Sequence, residues 1–206
     1  MYKLISKFVD YLILNNITSE NMREVDIYSF EVIIGKMLNY GTLLLLSWMN
    51  GNILQTLVFM IVFFSLRSRN GGFHAKKFLH CYFGTIAIYF CVLNMIVPAI
   101  KAHKYMHLYV MTISNITVYL FAPINHPNLQ LNDDEIRLCK KSARRLIIGL
   151  SIGVIVLTKL SIISEYTYYM LAGMGVNTGL LLIAKILKQE VRKDEKNERK
   201  DVEKCC

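Results

Sequence analysis

The sequence lacks the patterns that define several common classes of protein. Its five cysteines form no CxxC pair and show no spacing typical of zinc ligands, so it predicts no metal site and no other cofactor. No basic patch is interleaved with aromatic residues, which argues against a nucleic-acid partner. The N-terminus has no small-residue cleavage site, so no removable signal peptide is predicted.

What the chain does contain is hydrophobic sequence and positive charge. Hydrophobic residues make up 54% of its 206 residues and the mean hydropathy is +0.37, which is too high for a soluble domain of this size. The formal net charge of +9 comes from connecting segments and the C-terminal tail. We therefore expect an integral membrane protein whose partners are anionic lipid headgroups or an acidic peptide.

The apolar runs predict an all-α, polytopic membrane protein with six transmembrane helices. Residues 1–17 add an amphipathic helix, which lies either on the membrane surface or on the cytoplasmic face of the protein itself. Residues 1–187 form the membrane-embedded domain, and residues 188–206 are a charged cytoplasmic tail. The predicted spans are Tyr28–Met49, Ile53–Leu66, Phe78–Ile100, Tyr105–Ala122, Arg144–Ser164 and Tyr166–Leu187.

The distribution of basic residues predicts the orientation. One connecting segment contains residues 67–77 and another contains residues 137–145, and both are rich in Lys and Arg. The alternate connections carry only Lys101 and Lys104. By the positive-inside rule, both termini and both basic segments are cytoplasmic.

Reactive side chains concentrate in the stretch from Arg67 to Cys81, RSRNGGFHAKKFLHC. A thiol is a good nucleophile only as thiolate, and a nearby imidazole is the commonest group that removes its proton. On one continuous helix, His74 and Cys81 would be separated by roughly 10 Å along the axis, too far for proton transfer. Because Gly71 and Gly72 can adopt backbone angles closed to other residues, we expect the chain to bend there and bring the two side chains together.

The helix that carries Cys81 is predicted to begin near Lys76. Cys81 would then lie close to the positive end of the helix dipole. The positive charges of Arg69, Lys76 and Lys77 would also favour the thiolate. His80 is a competing base, but it is adjacent to Cys81 and points about 100° away from it on a helix.

These residues resemble the accessory gene regulator B (AgrB) family of bacterial membrane cysteine endopeptidases. The resemblance rests on Arg67, on the run Gly71-Gly72-Phe73-His74-Ala75, and on Cys81. It implies that His74 and Cys81 are catalytic, and that Arg67 and Gly72 are needed to form the site or to hold substrate. It also implies a homodimer in the bacterial cell membrane that processes an AgrD-like quorum-sensing propeptide, leading to a cyclic thiolactone or lactone.

Three questions stay open in the sequence. Glu31 or Asn94 could orient the histidine, and the pattern does not choose between them. A non-enzymatic exporter or permease for a small peptide or solute is the alternative function. A metal site formed by His74, His80 and Cys81 is a third possibility, although it lacks a fourth protein ligand.

Overall fold

The computed structural model describes residues 2–71, 78–103, 105–124, 133–160 and 164–187, and within these ranges it contains helices and no strand. A 3₁₀ turn, Glu20–Met22, precedes α2, and a π-helical turn, Val92–Ile96, joins α4 to α5. The α-helices are α1 Tyr2–Leu14, α2 Arg23–Met49, α3 Ile53–Asn70, α4 Phe78–Cys91, α5 Val97–Ala102, α6 Met106–Phe121, α7 Asp133–Leu160 and α8 Ser164–Ile186.

The helices from α2 to α8 run in alternating directions, counting α4 and α5 as one rod. Tyr40 of α2 contacts Phe64 of α3, and Thr56 of α3 shares a hydrogen bond with Tyr89 of α4, so these three helices are successively antiparallel. Asn115 of α6 donates to Ser151 of α7, which makes that pair antiparallel as well.

Helix α8 lies at the centre of the bundle. It packs most extensively against α3 and α6, and Leu171, Ala172 and Met174 are fully buried. Gly173 allows this close approach, because a Cβ there would lie 3.1 Å from Val62 Cγ1 and 3.2 Å from the Phe59 carbonyl oxygen. The small residue at this position therefore lets two backbones pack closely, as in other membrane helix pairs.

The N-terminal helix α1 packs against the first half of α2. Ile5 and Val9 of α1 are buried with Ile27 of α2, in a hydrophobic cluster separate from the main core. Arg23 Nε and Asp10 Oδ1, 2.8 Å apart, form an ion pair across the same contact. Of the two predicted positions for the amphipathic helix, the structure supports packing against the protein, while Leu4 and Leu14 stay exposed.

The six predicted spans correspond to helices, but their membrane crossing is confirmed only in part. Three helical stretches are long and apolar enough to cross a membrane, namely residues 20–49, His80–Ala102 and Glu165–Ile186. Helix α6 is apolar but has only 16 residues. Two helices begin before the predicted spans that they contain, since α2 begins at Arg23 and α7 at Asp133, where polar residues extend the helix beyond the apolar run.

One end of the bundle contains the motif residues that the structure describes, Arg67, Gly71 and Cys81, and we call it the basic end. It contains the C-terminus of α3, the first turn of α4, residues Tyr119–Ile124 and the segment Ser142–Arg145. The opposite end contains Asn52, Tyr89 and the ion pair between Lys101 and Glu165.

Candidate functional site

Helix α3 ends at the glycine that the sequence motif places there. Asn70 is its last residue, and Gly71 leaves the helix with φ +67° and ψ −135°, a conformation that L side chains rarely adopt. The Arg67 guanidinium donates to the Gly71 carbonyl oxygen at 3.0 Å, which closes this end of the helix. The expected break in the helix is therefore present at Gly71.

The same turn is held from the other side by the chain that follows α6. The Ile124 amide donates to the Asn70 carbonyl oxygen at 3.0 Å. A Cβ on Gly71 would lie 2.6 Å from the Ile124 carbonyl oxygen, closer than real Cβ contacts come. Glycine is thus required at position 71 both by its backbone angles and by a close backbone neighbour.

Cys81 is the fourth residue of α4 and its thiol is free and exposed. The next residue, Tyr82, shares a 2.8 Å hydrogen bond between its hydroxyl and that of Thr42, which ties the start of α4 to α2. This position is in the first turn, where the backbone N–H groups and the helix dipole favour a negative charge. An exposed cysteine in such a place can react with a substrate that approaches from outside the bundle.

Arg67, one of the residues that the structure describes, is a cation whose charge interacts with the Cys81 thiol. Arg67 follows the predicted span Ile53–Leu66, and its burial lowers the pKa of the guanidinium. The negative charge of a Cys81 thiolate opposes this by raising the same pKa. Arg67 and Cys81 are therefore near enough for their charges to interact.

Arg69, whose charge was predicted to favour the thiolate, forms two hydrogen bonds in the structure. Its guanidinium donates to Ser142 Oγ and to the Ser65 carbonyl oxygen, both at 2.8 Å. The bond to Ser142 joins the end of α3 to α7, whereas the bond to Ser65 lies within α3. The structure therefore assigns Arg69 contacts between helices, and its predicted effect on the thiolate stays a prediction.

Several predicted site residues lie outside the described part of the chain. They are Gly72, His74, Lys76 and Lys77. The separation of the His74 imidazole and the Cys81 thiol therefore stays a prediction.

The two residues proposed to orient the histidine are not beside Cys81 along their helices. Asn94 is 13 residues after Cys81, about 20 Å along the helix axis, and donates its amide to the Phe90 carbonyl oxygen. Glu31 is half-buried on α2, about 16 Å along the axis from Thr42, which contacts the neighbour of Cys81. His74 itself lies outside the described residues, so their orienting role stays a prediction.

Three buried asparagines at the basic end were not predicted as site residues. Asn70 Nδ2 donates to Asn177 Oδ1 at 2.7 Å, and both residues are almost fully buried. Asn70 Oδ1 and Asn177 Nδ2 nevertheless have no hydrogen-bond partner, and neither does the buried Asn39 Oδ1 on α2. The sequence feature that could have identified them is a polar residue within or beside an apolar run. The sequence contains many such residues and does not show which of them lie close together in the folded bundle.

A metal site receives no support from the described residues. Within residues 2–71, 78–103, 105–124, 133–160 and 164–187, no group of three or more His, Cys, Asp or Glu residues could hold a metal ion. The alternative ligand set includes His74, which lies outside these ranges.

The fold and the site together define an all-helical membrane protein with a free thiol in the first turn of a helix, at a basic end of the bundle. The model of the family described as Accessory gene regulator B matches residues 5–186. The chain therefore belongs to the AgrB family, whose members take part in the processing of autoinducer peptides. Neither the comparison with curated proteins nor that with solved structures finds a match.

Proposed function

We propose that this protein is a membrane-embedded cysteine endopeptidase that cleaves a small autoinducer propeptide. The observation that carries the proposal is the free, exposed Cys81 thiol in the first turn of α4, with Arg67 near enough for the two charges to interact. Family membership supports peptide processing as the reaction class. The two lines are independent, since one rests on local geometry and the other on the sequence as a whole.

The proposed reaction begins when His74 removes the proton of the Cys81 thiol. The sulfur attacks the carbonyl carbon of the scissile peptide bond, and the resulting imidazolium returns the proton to the leaving amine. A thioester links the substrate to Cys81. A cysteine or serine of the bound substrate then attacks this thioester, releases the Cys81 thiol and closes a thiolactone or lactone ring.

Arg67 and Gly71 act by shaping the site in this mechanism. The Gly71 turn allows the following segment to return toward Cys81, and the Arg67 bond to the Gly71 carbonyl stabilises that turn. Because the guanidinium also attracts the thiolate, one side chain links the geometry of the turn to the charge of the nucleophile. Gly72, Lys76 and Lys77 remain proposed members of the same substrate-binding segment.

A histidine base needs an acceptor that holds one ring N–H in place, and we assign this role to Asn39. Asn39 and Thr42 are three residues apart on α2 and therefore share a face of the helix. Thr42 contacts Tyr82, so this face looks toward the start of α4. Asn39 Oδ1 is buried and has no donor, which is the state expected of an acceptor that a histidine would complete.

The remaining features of the proposal concern the setting of the reaction. The substrate is an AgrD-like propeptide whose acidic part is attracted to the basic end. The protein is a homodimer with both termini and the site in the cytoplasm, and residues 188–206 are its charged tail. The membrane excludes water that would otherwise hydrolyse the thioester before ring closure.

The test is to replace Cys81 by alanine and to use Cys91→Ala as the matched control. Both cysteines are exposed on α4, and Cys91 is free and far from the basic end. The full-length protein is reconstituted with the propeptide encoded by the neighbouring reading frame, and the C-terminal fragment is quantified by mass spectrometry. We expect no fragment from Cys81→Ala and wild-type amounts from Cys91→Ala.

The result that would overturn the proposal is continued release of the fragment by Cys81→Ala. The exporter alternative predicts that outcome, because a transport path does not need the thiol. Wild-type protein should also form a covalent adduct with the substrate that hydroxylamine, a thioester-cleaving nucleophile, removes.

A further inference from the structure

A second site lies on the outside of the bundle, between α6 and α7. It is an open cleft of about 400 Å³ whose lining is almost entirely apolar. Ile116, Leu120 and Ile148 line it, and each has about half or more of its surface exposed. A single cation, the guanidinium of Arg144, lies at one end of this lining.

Arg144 is held rigidly in place but is not neutralised. Its Nη2 donates to the Tyr119 carbonyl oxygen at 2.9 Å, and its guanidinium carbon lies 3.8 Å from the centroid of the Tyr119 ring. Its buried Nε has no acceptor. Among the described residues, no carboxylate forms an ion pair with Arg144.

The cleft has a polar end and an apolar slot of defined length. Arg144 belongs to the basic end, where Arg145 is its exposed neighbour on α7. The hydrogen bond from Asn115 to Ser151 lies seven residues further along α7, about 10 Å from Arg144 along the axis. Between these two levels the walls are the side chains of Ile116, Ile147 and Ile148.

We propose that this cleft binds one anionic phospholipid, with its phosphate on Arg144 and an acyl chain in the slot. A guanidinium without a carboxylate partner matches a phosphate, because its N–H groups form charge-assisted hydrogen bonds to phosphate oxygens. An apolar slot that leads away from the charge matches an acyl chain, and basic pockets between membrane helices are known to bind acidic headgroups. This inference does not depend on the proposed peptidase activity.

The experiment measures lipid retention by the purified full-length protein in detergent, using native mass spectrometry. The protein is incubated with phosphatidylglycerol or with phosphatidylcholine of the same acyl chains. We expect wild type to retain phosphatidylglycerol in preference. Arg144→Gln should bind it about tenfold more weakly, since hydrogen bonds to a charged group are lost.

The matched control is Arg145→Gln, which removes the same charge from the adjacent, exposed position and should change retention by less than about twofold. Ile148→Trp fills the slot without altering charge, and we expect it to lower retention as well. Glycerol phosphate carries a phosphate without acyl chains and should not compete.

If Arg144→Gln and Arg145→Gln lowered the retention of phosphatidylglycerol equally, the proposal would be overturned, because the lipid would then be attracted by net charge alone. Equal retention of the two lipids by wild type would overturn it too, as would competition by glycerol phosphate. The helical circular dichroism of each variant shows whether that variant remains folded. If Arg144→Gln is unfolded, the retention measured for Ile148→Trp and the competition assay decide whether the proposal holds.

Discussion

The two ends of the helical bundle differ in whether their buried polar groups have hydrogen-bond partners. At the end opposite the site, the hydroxyls of Thr56 and Tyr89 share a hydrogen bond of 3.1 Å, and Tyr89 also donates to Asn52 Oδ1 at 3.3 Å. At the basic end, the buried atoms without a partner are Asn39 Oδ1, Asn70 Oδ1, Asn177 Nδ2 and Arg144 Nε. These are all the unpartnered buried side-chain nitrogens and oxygens found among the described residues.

This difference separates a stabilising region from a binding region. An unsatisfied buried polar group costs about 1–3 kcal/mol, so a folded chain retains several of them together mainly where something else completes them. The completed network around Tyr89 contributes to stability. Asn70 directly precedes the turn at Gly71, and Asn39 is one helical turn from Thr42, which contacts the helix that carries Cys81, where we place the peptide-processing site.

The largest expected effect comes from comparing glycines at the two ends. Gly71 and Gly51 both have positive φ, but a Cβ on Gly71 would collide with the Ile124 carbonyl oxygen, whereas one on Gly51 would meet nothing within 4 Å. Gly71→Ala should lower propeptide cleavage about 100-fold, because it displaces the turn beside the nucleophile. Gly51→Ala should cost about 1 kcal/mol of stability and leave cleavage unchanged.

Cleavage rates and thermal unfolding of both variants in detergent provide the measurement. If the two substitutions lowered cleavage equally, the close approach of Ile124 to Gly71 would have no special importance.

A smaller effect is expected from the buried acceptor on α2. Asn39→Leu removes the acceptor proposed for the histidine and should lower kcat about tenfold with little change in KM, by analogy with other groups that orient a functional histidine. Asn39→Asp keeps an acceptor oxygen and should restore much of the rate. Asn94→Leu is the matched control, since Asn94 is exposed and bonded to the Phe90 carbonyl oxygen of its own helix.

Steady-state kinetics with the cognate propeptide would distinguish these cases. Loss of kcat in Asn94→Leu, with Asn39→Leu unaffected, would return the orienting role to the residue first considered from the sequence.

The smallest effect is expected at the end opposite the site, where Tyr89 is hydrogen-bonded to Thr56 and Asn52. Tyr89→Phe removes the hydroxyl that bonds to Thr56 and Asn52 and should reduce the free energy of unfolding by about 1 kcal/mol. Cleavage should remain at the wild-type level. Thermal unfolding and cleavage of the same preparation check both statements, and a loss of cleavage without a loss of stability would contradict the division between the two ends.

Much of the fold was predictable because hydrophobic runs and glycine breaks are local signals. The helical class, the break at Gly71 and the position of Cys81 near a helix start followed from residue order alone. The number of membrane crossings was harder to predict, because charged residues extend α7 beyond its apolar run and Arg67 and Arg69 end α3. Among the described residues, length and composition identify three helices that could cross a membrane. Whether the other helices also cross it depends on how they pack in the bundle.

The sequence by itself was sufficient to predict the family of this protein, since the motif from Arg67 to Cys81 resembles the AgrB family and the family model that matches residues 5–186 confirms that prediction. Only the tertiary structure decided which polar residues meet. Asn70 and Asn177 are 107 positions apart and yet form a buried hydrogen bond, while Arg69 bonds to Ser142 on another helix. The physical reason is that propensity and hydropathy act over a few neighbouring residues, whereas the rotation of one helix against another is set by close packing between distant parts of the chain.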